Sequence, residues 1–268
     1  MPPTSKLSQG ERAACAVVER VLGVRAEPWD VGGRQGAVDA LLHYPDGRVG
    51  AFEHSILGRT DALELDARLS REEFEWPLPG DWWWTVTIGH VDELNHVRSI
   101  FDEIVLLCES HQVWCPDFLS PQVQDENRAV RWLLEESTSR LFGHPTVPAR
   151  DGTAVRTAMV VPPGHGGAVD SELAGLGLAL HEAFTSTNLR ERLDKLLRHD
   201  ADERHLFVPV HQTGLPYPVF DGLGFGTGLP PSPPPLPDGI SHLWLAPNFS
   251  RRVVLWAPSG WQQHTLYE

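Results

Sequence analysis

Apolar residues return at helical spacing near the N-terminus, at Ala14, Val17, Val18, Val21 and Leu22, directly after Ser8-Gln9-Gly10-Glu11. A serine followed three residues later by glutamate is a capping box, in which each side chain satisfies a backbone N–H of the first turn. A helix is therefore predicted from residue 8, with Gly23 as its stop. The pattern then changes. Residues 37–44 and 48–55 are short apolar runs on either side of Pro45-Asp46-Gly47. Proline presets the first turn residue and glycine accepts a positive φ, so this stretch predicts a hairpin with a type I turn and a glycine bulge. With Tyr44 facing Arg48, Asp39 faces Glu53, their Cβ atoms about 4.5–5.5 Å apart on one face of the ladder.

Beyond the hairpin, residues 58–81 are charged and turn-rich. Residues 82–88 read as a strand by aromatic and β-branched content. In it Trp82 and Trp84 share one face and Trp83 takes the other, which predicts an interior strand or an interface. Helices are predicted over residues 91–111, 125–141, 171–184 and 188–198, the last with Leu189, Leu193, Leu196 and Leu197 on its buried side. Further strands are predicted over 154–161, 205–210, 242–246 and 252–256, with Pro209 marking an edge or the exit of its strand. The stretch 229–237 is proline-rich and predicts a polyproline II connector. Helix, hairpin and then alternating strands and helices imply an α/β architecture on a mixed sheet.

Composition narrows the function classes. A chain of 268 residues can bury a large core. Its 36 acidic against 22 basic residues leave a net charge of −14. That balance works against broad, sequence-independent grip on a nucleic-acid backbone and leaves room only for a local basic cleft. Three cysteines without framework spacing point to a reducing compartment, so a cytoplasmic location is expected. No apolar run approaches the ~18–20 residues that span a bilayer, and no membrane partner is expected.

The candidate chemistry sits on the hairpin. Like charges placed opposite each other require a compensating cation or a proton on one of them. Asp39 and Glu53, with Glu19 at the border of the first helix's apolar stripe, make a candidate site for Mg²⁺ or Mn²⁺, which favour carboxylate oxygens. Such a cation polarises a phosphodiester and supplies hydroxide at neutral pH. The competing reading is a solvated hairpin face whose charges are offset by Arg34 or Arg48. Cys108, His111 and Cys115 lack the tight spacing of a zinc site, and Cys108 falls in a helical apolar stripe, so these cysteines read as core. His181-Glu182 lacks the second helical histidine of a zinc protease, and Ser259 lacks the flanks of a nucleophile elbow.

Glu19 on a helix, Asp39 on a strand and Glu53-His54-Ser55 on the next strand resemble the PD-(D/E)XK nuclease-like superfamily, the restriction-endonuclease-like fold. Residues 188–196, 203–208, 242–245 and 256–261 resemble the closing pieces of uncharacterised actinobacterial-type members. The resemblance implies a mixed sheet core flanked by helices, built from residues 1–56 and 186–268, with residues 57–185 as a long α/β insertion. It implies metal ligation by Asp39, Glu53 and the backbone carbonyl of His54, with Glu19 as an auxiliary acid. The family's lysine falls two residues after the second acid, where this chain has Ser55. Some members take that lysine from a following helix, which points to Lys195. Helical geometry turns Lys195 away from the leucine stripe and favours Arg192, which borders it. The implied activity is Mg²⁺-dependent phosphodiester hydrolysis of DNA or RNA, in defence or DNA processing. The alternative is a catalytically degenerate member, binding a protein partner through its insertion or its tryptophan-rich surfaces.

Overall fold

The computed structural model describes residues 7–30, 36–146, 149–150, 153–164 and 166–265, which form a mixed α/β structure. The chain divides into two units, residues 1–59 with 166–268, and residues 60–165. The second unit therefore ends 20 residues earlier than the expected insertion boundary at residue 185. The reason is packing: Leu173, Leu176 and Leu180 are buried in the core of the first unit.

Helix α1 (Gln9–Leu22) starts on the expected capping box and ends at Gly23, in left-handed conformation at φ 66°. Strands β1 (Arg25–Pro28), β2 (Ala40–His43) and β3 (Val49–His54) form an antiparallel meander. The hairpin register is the expected one, with Ala40 opposite Phe52 and His43 opposite Val49. Tyr44 N–H donates to the Arg48 carbonyl, Gly47 N–H donates to the Tyr44 carbonyl, and Gly47 takes φ 90°. The glycine-rich approach to β2, including Arg34, lies largely outside the described residues.

In the second unit the charged stretch contains α2 (Thr60–Ser70) and β4 (Glu75–Pro77), followed by β5 (Trp83–Thr87) and α3 (Leu94–Ser110). The helix expected over 125–141 is two short helices, α4 (Pro121–Glu126) and α5 (Arg128–Glu135), and then strand β6 (Arg140–His144). Asn127 causes the break. Its backbone is extended, and its side chain accepts from Val130 N–H as the N-cap of α5. Strands β7 (Ala149–Arg150) and β8 (Thr153–Ala154) pair with each other. Strand β9 (Thr157–Val161) completes a four-stranded sheet of order β4-β9-β5-β6. Strand β5 is thus interior, with Trp84 fully buried against this unit's own core. Cys108 lies in that core too, and Cys15, Cys108 and Cys115 are all buried free thiols.

The chain then returns to the first unit. Helix α6 (Leu176–Phe184) starts later than residue 171, because Asp170 accepts from the N–H groups of Ala174 and Gly175 and holds a turn there. Helix α7 (Thr187–Arg198) leads to β10 (Glu203–Val210), α8 (Tyr217–Phe225), β11 (His242–Pro247), β12 (Arg252–Ala257) and β13 (Gly260–Thr265). The seven-stranded sheet has the order β1-β2-β3-β10-β11-β12-β13, parallel from β3 through β11 and antiparallel elsewhere. Pro209 sits near the exit of interior strand β10. On one face of the sheet, Leu41, Ala51, Leu206 and Leu243 pack with Leu189, Leu193 and Leu196 of α7. On the other, Ala40, Phe52, Phe207 and Trp244 pack with Ala14, Cys15 and Val18 of α1. Among the described residues no helix is long and apolar enough to cross a membrane.

Candidate functional site

Strand parity decides which side chains meet. Asp39 alternates with Leu41 and Glu53 with Ala51, so both acids point to the α7 face of the large sheet. They are nearly sealed from solvent, Asp39 at 4 % and Glu53 at 0 % exposure. The two are also tied together. Asp39 N–H donates to Glu53 Oε2 at 3.3 Å, and His54 N–H donates to Asp39 Oδ2 at 2.8 Å. One oxygen of each carboxylate is thereby held by backbone, and Asp39 Oδ1 and Glu53 Oε1 face the helix.

Helix α7 meets them with two cations. Lys195 Nζ lies 2.8 Å from Glu53 Oε1 and 3.4 Å from Asp39 Oδ1. Arg192 Nη1 lies 2.6 Å from Glu53 Oε1 and 4.0 Å from Asp39 Oδ1. The expectation that Lys195 turns away is overturned. Positions 188, 192 and 195 share a helix face, and this polar stripe flanks the leucine stripe. Asn188 on the same stripe donates to Ser55 Oγ at 3.4 Å, so Ser55 is a buried acceptor beside the pair. Burial, and next the facing Asp39, push the Glu53 carboxyl upward, against hydrogen bonds from Lys195 and Arg192.

Glu19 holds structure. Its Oε1 accepts from Ala26 N–H at 2.8 Å and fastens α1 to β1. The His54 imidazole is on the opposite face from Glu53, stacked on Phe207 with ring centroids 6.3 Å apart, and burial pushes its pKa down. Its backbone carbonyl points to the same side of β3 as its N–H, toward Asp39.

A second polar cluster lies on the α1 face. Glu203 and His205 alternate on β10, and His242 is the in-register neighbour of His205 on β11. The two imidazoles stack with centroids 4.0 Å apart and planes 10° apart. Tyr44 O–H donates to Glu203 Oε2 at 2.5 Å, and Arg48 pairs with Glu203 Oε1. Trp244 Nε1–H donates to His205 Nδ1 at 3.3 Å. An indole can only donate, so the His205 proton is on Nε2, 3.2 Å from Glu203 Oε2. The hydrogen bond from His205 leads in lowering Glu203 to about 2, and burial leads in lowering His242 to about 3. Glu203, His205 and His242 each place a ligand atom within 4.8 Å of the others, so this cluster could hold a metal ion. Sequence reading missed it. The signals were Glu-x-His on one strand and a histidine opening another, and only the parallel register brings them together.

Comparisons of the chain with family models, with curated proteins and with solved structures gave no match.

Proposed function

We propose that this chain is a metal-dependent phosphodiesterase of the restriction-endonuclease-like class, acting on DNA or RNA. The observation that carries this reading is the convergence of Asp39 Oδ1, Glu53 Oε1 and Lys195 Nζ, with contacts of 2.8 and 3.4 Å to the ammonium. The element order supports it: a helix, a three-stranded meander, then a crossover through α7 to β10, parallel to β3. Lys195 offers from the helix the positive charge that Ser55 lacks. The donor set fits Mg²⁺ or Mn²⁺, because each carboxylate keeps one oxygen free of backbone bonds and hard cations favour oxygen. Asp39, Glu53 and the His54 carbonyl would hold the ion. When bound, such an ion polarises a phosphodiester and lowers the pKa of water. Arg192, 38 % exposed at its side chain, receives phosphate oxygens from solvent, for which a guanidinium fork is suited. Lys195, 13 % exposed, holds and orients the attacking water or a phosphate oxygen from within.

Incubation of the full chain with single- and double-stranded DNA and RNA, in Mg²⁺ or Mn²⁺, tests the reading. Cleavage is expected, reduced at least about 10²-fold in Asp39→Ala and Lys195→Ala. Absence of cleavage on every substrate by folded protein overturns it.

One observation favours a second reading. The carboxylates of Asp39 and Glu53 are already balanced by Lys195 and Arg192, as in a degenerate nuclease fold that binds partners without cutting. On that reading Asp39→Ala changes thermal stability or partner binding and no catalytic readout. Calorimetric Mg²⁺ or Mn²⁺ uptake that is lost in Glu53→Ala favours the enzyme.

A further inference from the structure

We propose that Glu203, His205 and His242 form a binding site for one divalent transition metal of the Zn²⁺ class, independent of the Asp39–Glu53 pair on the other face of the sheet. The donors set the metal class. Two imidazoles and one carboxylate suit Zn²⁺ and its first-row neighbours, whereas Mg²⁺ takes oxygen. The separations agree. Bonds of about 2.0–2.1 Å in a tetrahedron put ligand atoms about 3.3 Å apart. Glu203 Oε2 lies 3.2 Å from His205 Nε2 and 3.9 Å from His242 Nδ1.

The surroundings hold these donors in place. Metal ligands are commonly oriented by hydrogen bonds from outside the coordination sphere. Tyr44 O–H and the Arg48 guanidinium hold Glu203, whereas Ser241 Oγ lies 2.8 Å from His242 Nδ1 itself, a contact the ion displaces. The ladder itself aligns His205 with His242, so no loop has to be ordered when the ion arrives, although one of the stacked rings, their planes 10° apart, rotates so that both lone pairs meet the ion. Bound there, the ion clasps β10 to β11, and through Glu203 engages the Tyr44 turn of the hairpin.

Trp244 acts against binding, and this makes the site testable. With the indole N–H on Nδ1, the His205 proton occupies Nε2, the atom a metal needs. On binding, Nε2 gives its proton to water, Nδ1 takes one from water, and the metal–Nε2 bond forms. The ring stays neutral, and the Trp244 hydrogen bond to Nδ1 breaks. Trp244→Phe removes the bond that favours the wrong tautomer and should tighten metal binding by about threefold to tenfold, the worth of one neutral hydrogen bond.

The test is calorimetric titration of the full chain, freed of metal by chelation, with Zn²⁺, and with Mg²⁺ in parallel. One Zn²⁺ per chain is expected, together with a rise in Tm of about 5–10 °C at a hundredfold excess over Kd. Co²⁺ loading should give the visible absorption of a four-coordinate ion. Binding is expected to survive Asp39→Ala, which separates this site from the proposed catalytic one, and to be lost in His242→Gln and in Glu203→Gln. Glu203 stands at the start of its strand and is the safer substitution for folding. The proposal is overturned by no stoichiometric Zn²⁺ uptake, by uptake unchanged in both variants, or by weaker binding in folded Trp244→Phe.

Discussion

Asp39 and Glu53 are held as a pair by crossed backbone bonds, Asp39 N–H to Glu53 Oε2 at 3.3 Å and His54 N–H to Asp39 Oδ2 at 2.8 Å. The repulsion between them is met from α7, and the consequences of removing that support are direct.

Lys195→Met deletes the ammonium 2.8 Å from Glu53 and leaves Arg192 alone to balance two buried carboxylates. Breaking a buried ion pair from one side costs several kcal/mol. With Arg192 remaining, a loss of about 2–4 kcal/mol is expected, read as a lower urea midpoint at unchanged slope. A change below about 0.5 kcal/mol would show that the pair does not depend on Lys195.

Glu53 makes stability depend on pH in an unusual direction for a carboxylate. Burial, then Asp39, raise its folded pKa above the ordinary 4.5. Its contribution is therefore full below about 4.5 and is lost as pH rises through the raised value. Glu53→Gln removes that titration. The unfolding free energy of wild type minus that of the variant should fall as pH rises from 4.5 through the raised value. A flat difference across that window contradicts the assignment.

Glu93 shows the opposite sign in the second unit. Its carboxylate accepts from the hydroxyls of Ser137, Thr138 and Ser139 and from the N–H groups of Thr138 and Ser139. Burial opposes ionisation, the hydrogen bonds outweigh it, and the pKa falls to about 2. The stabilisation is thus present above 4.5 and is lost as pH drops toward 2. Glu93→Ala should cost about 1–3 kcal/mol at neutral pH, with amide exchange quickening first at Thr138 and Ser139.

Gly143 is required by a close approach. It pairs with Trp84 across β5 and β6, and a Cβ there would stand 2.7 Å from Trp84 Cζ2. Gly143→Ala should destabilise by about 1–3 kcal/mol through overpacking. Near-ultraviolet circular dichroism of the displaced tryptophan reads the change, and an unaltered spectrum and Tm would contradict it.

Local chemistry made the hairpin legible. Pro45, Asp46 and Gly47 determine the turn, the turn determines the register, and strand parity then aligns Asp39 with Glu53. The fate of Lys195 was not legible from one stripe of leucines, because a polar stripe flanks it on α7, and the long lysine stem reaches the acids from there. Asn127 also defeated periodicity. Apolar spacing continues through it, while its extended backbone and cap divide the stretch into two helices. Strand β13 carries only half-buried and exposed residues, so its apolar pattern is faint. The Glu203, His205 and His242 cluster depends on parallel pairing of strands joined through α8 and a proline-rich stretch, which no local pattern specifies.

The pairing of β3 with β10 joins Gly50 to Glu203, and the whole second unit lies between them in the chain. That separation has a kinetic consequence. Contacts so distant form only after a large loop has closed, so this half of the sheet assembles late. Until α7 arrives, Asp39 and Glu53 have neither Lys195 nor Arg192, and their repulsion opposes early closure of the hairpin. The second unit has its own core and no such wait. Pulse-labelled exchange during refolding should protect Val86, Ile104 and Val160 before Leu206 and Leu243. The acid pair is thus completed as one of the last acts of folding, together with the sheet and helix that bury it.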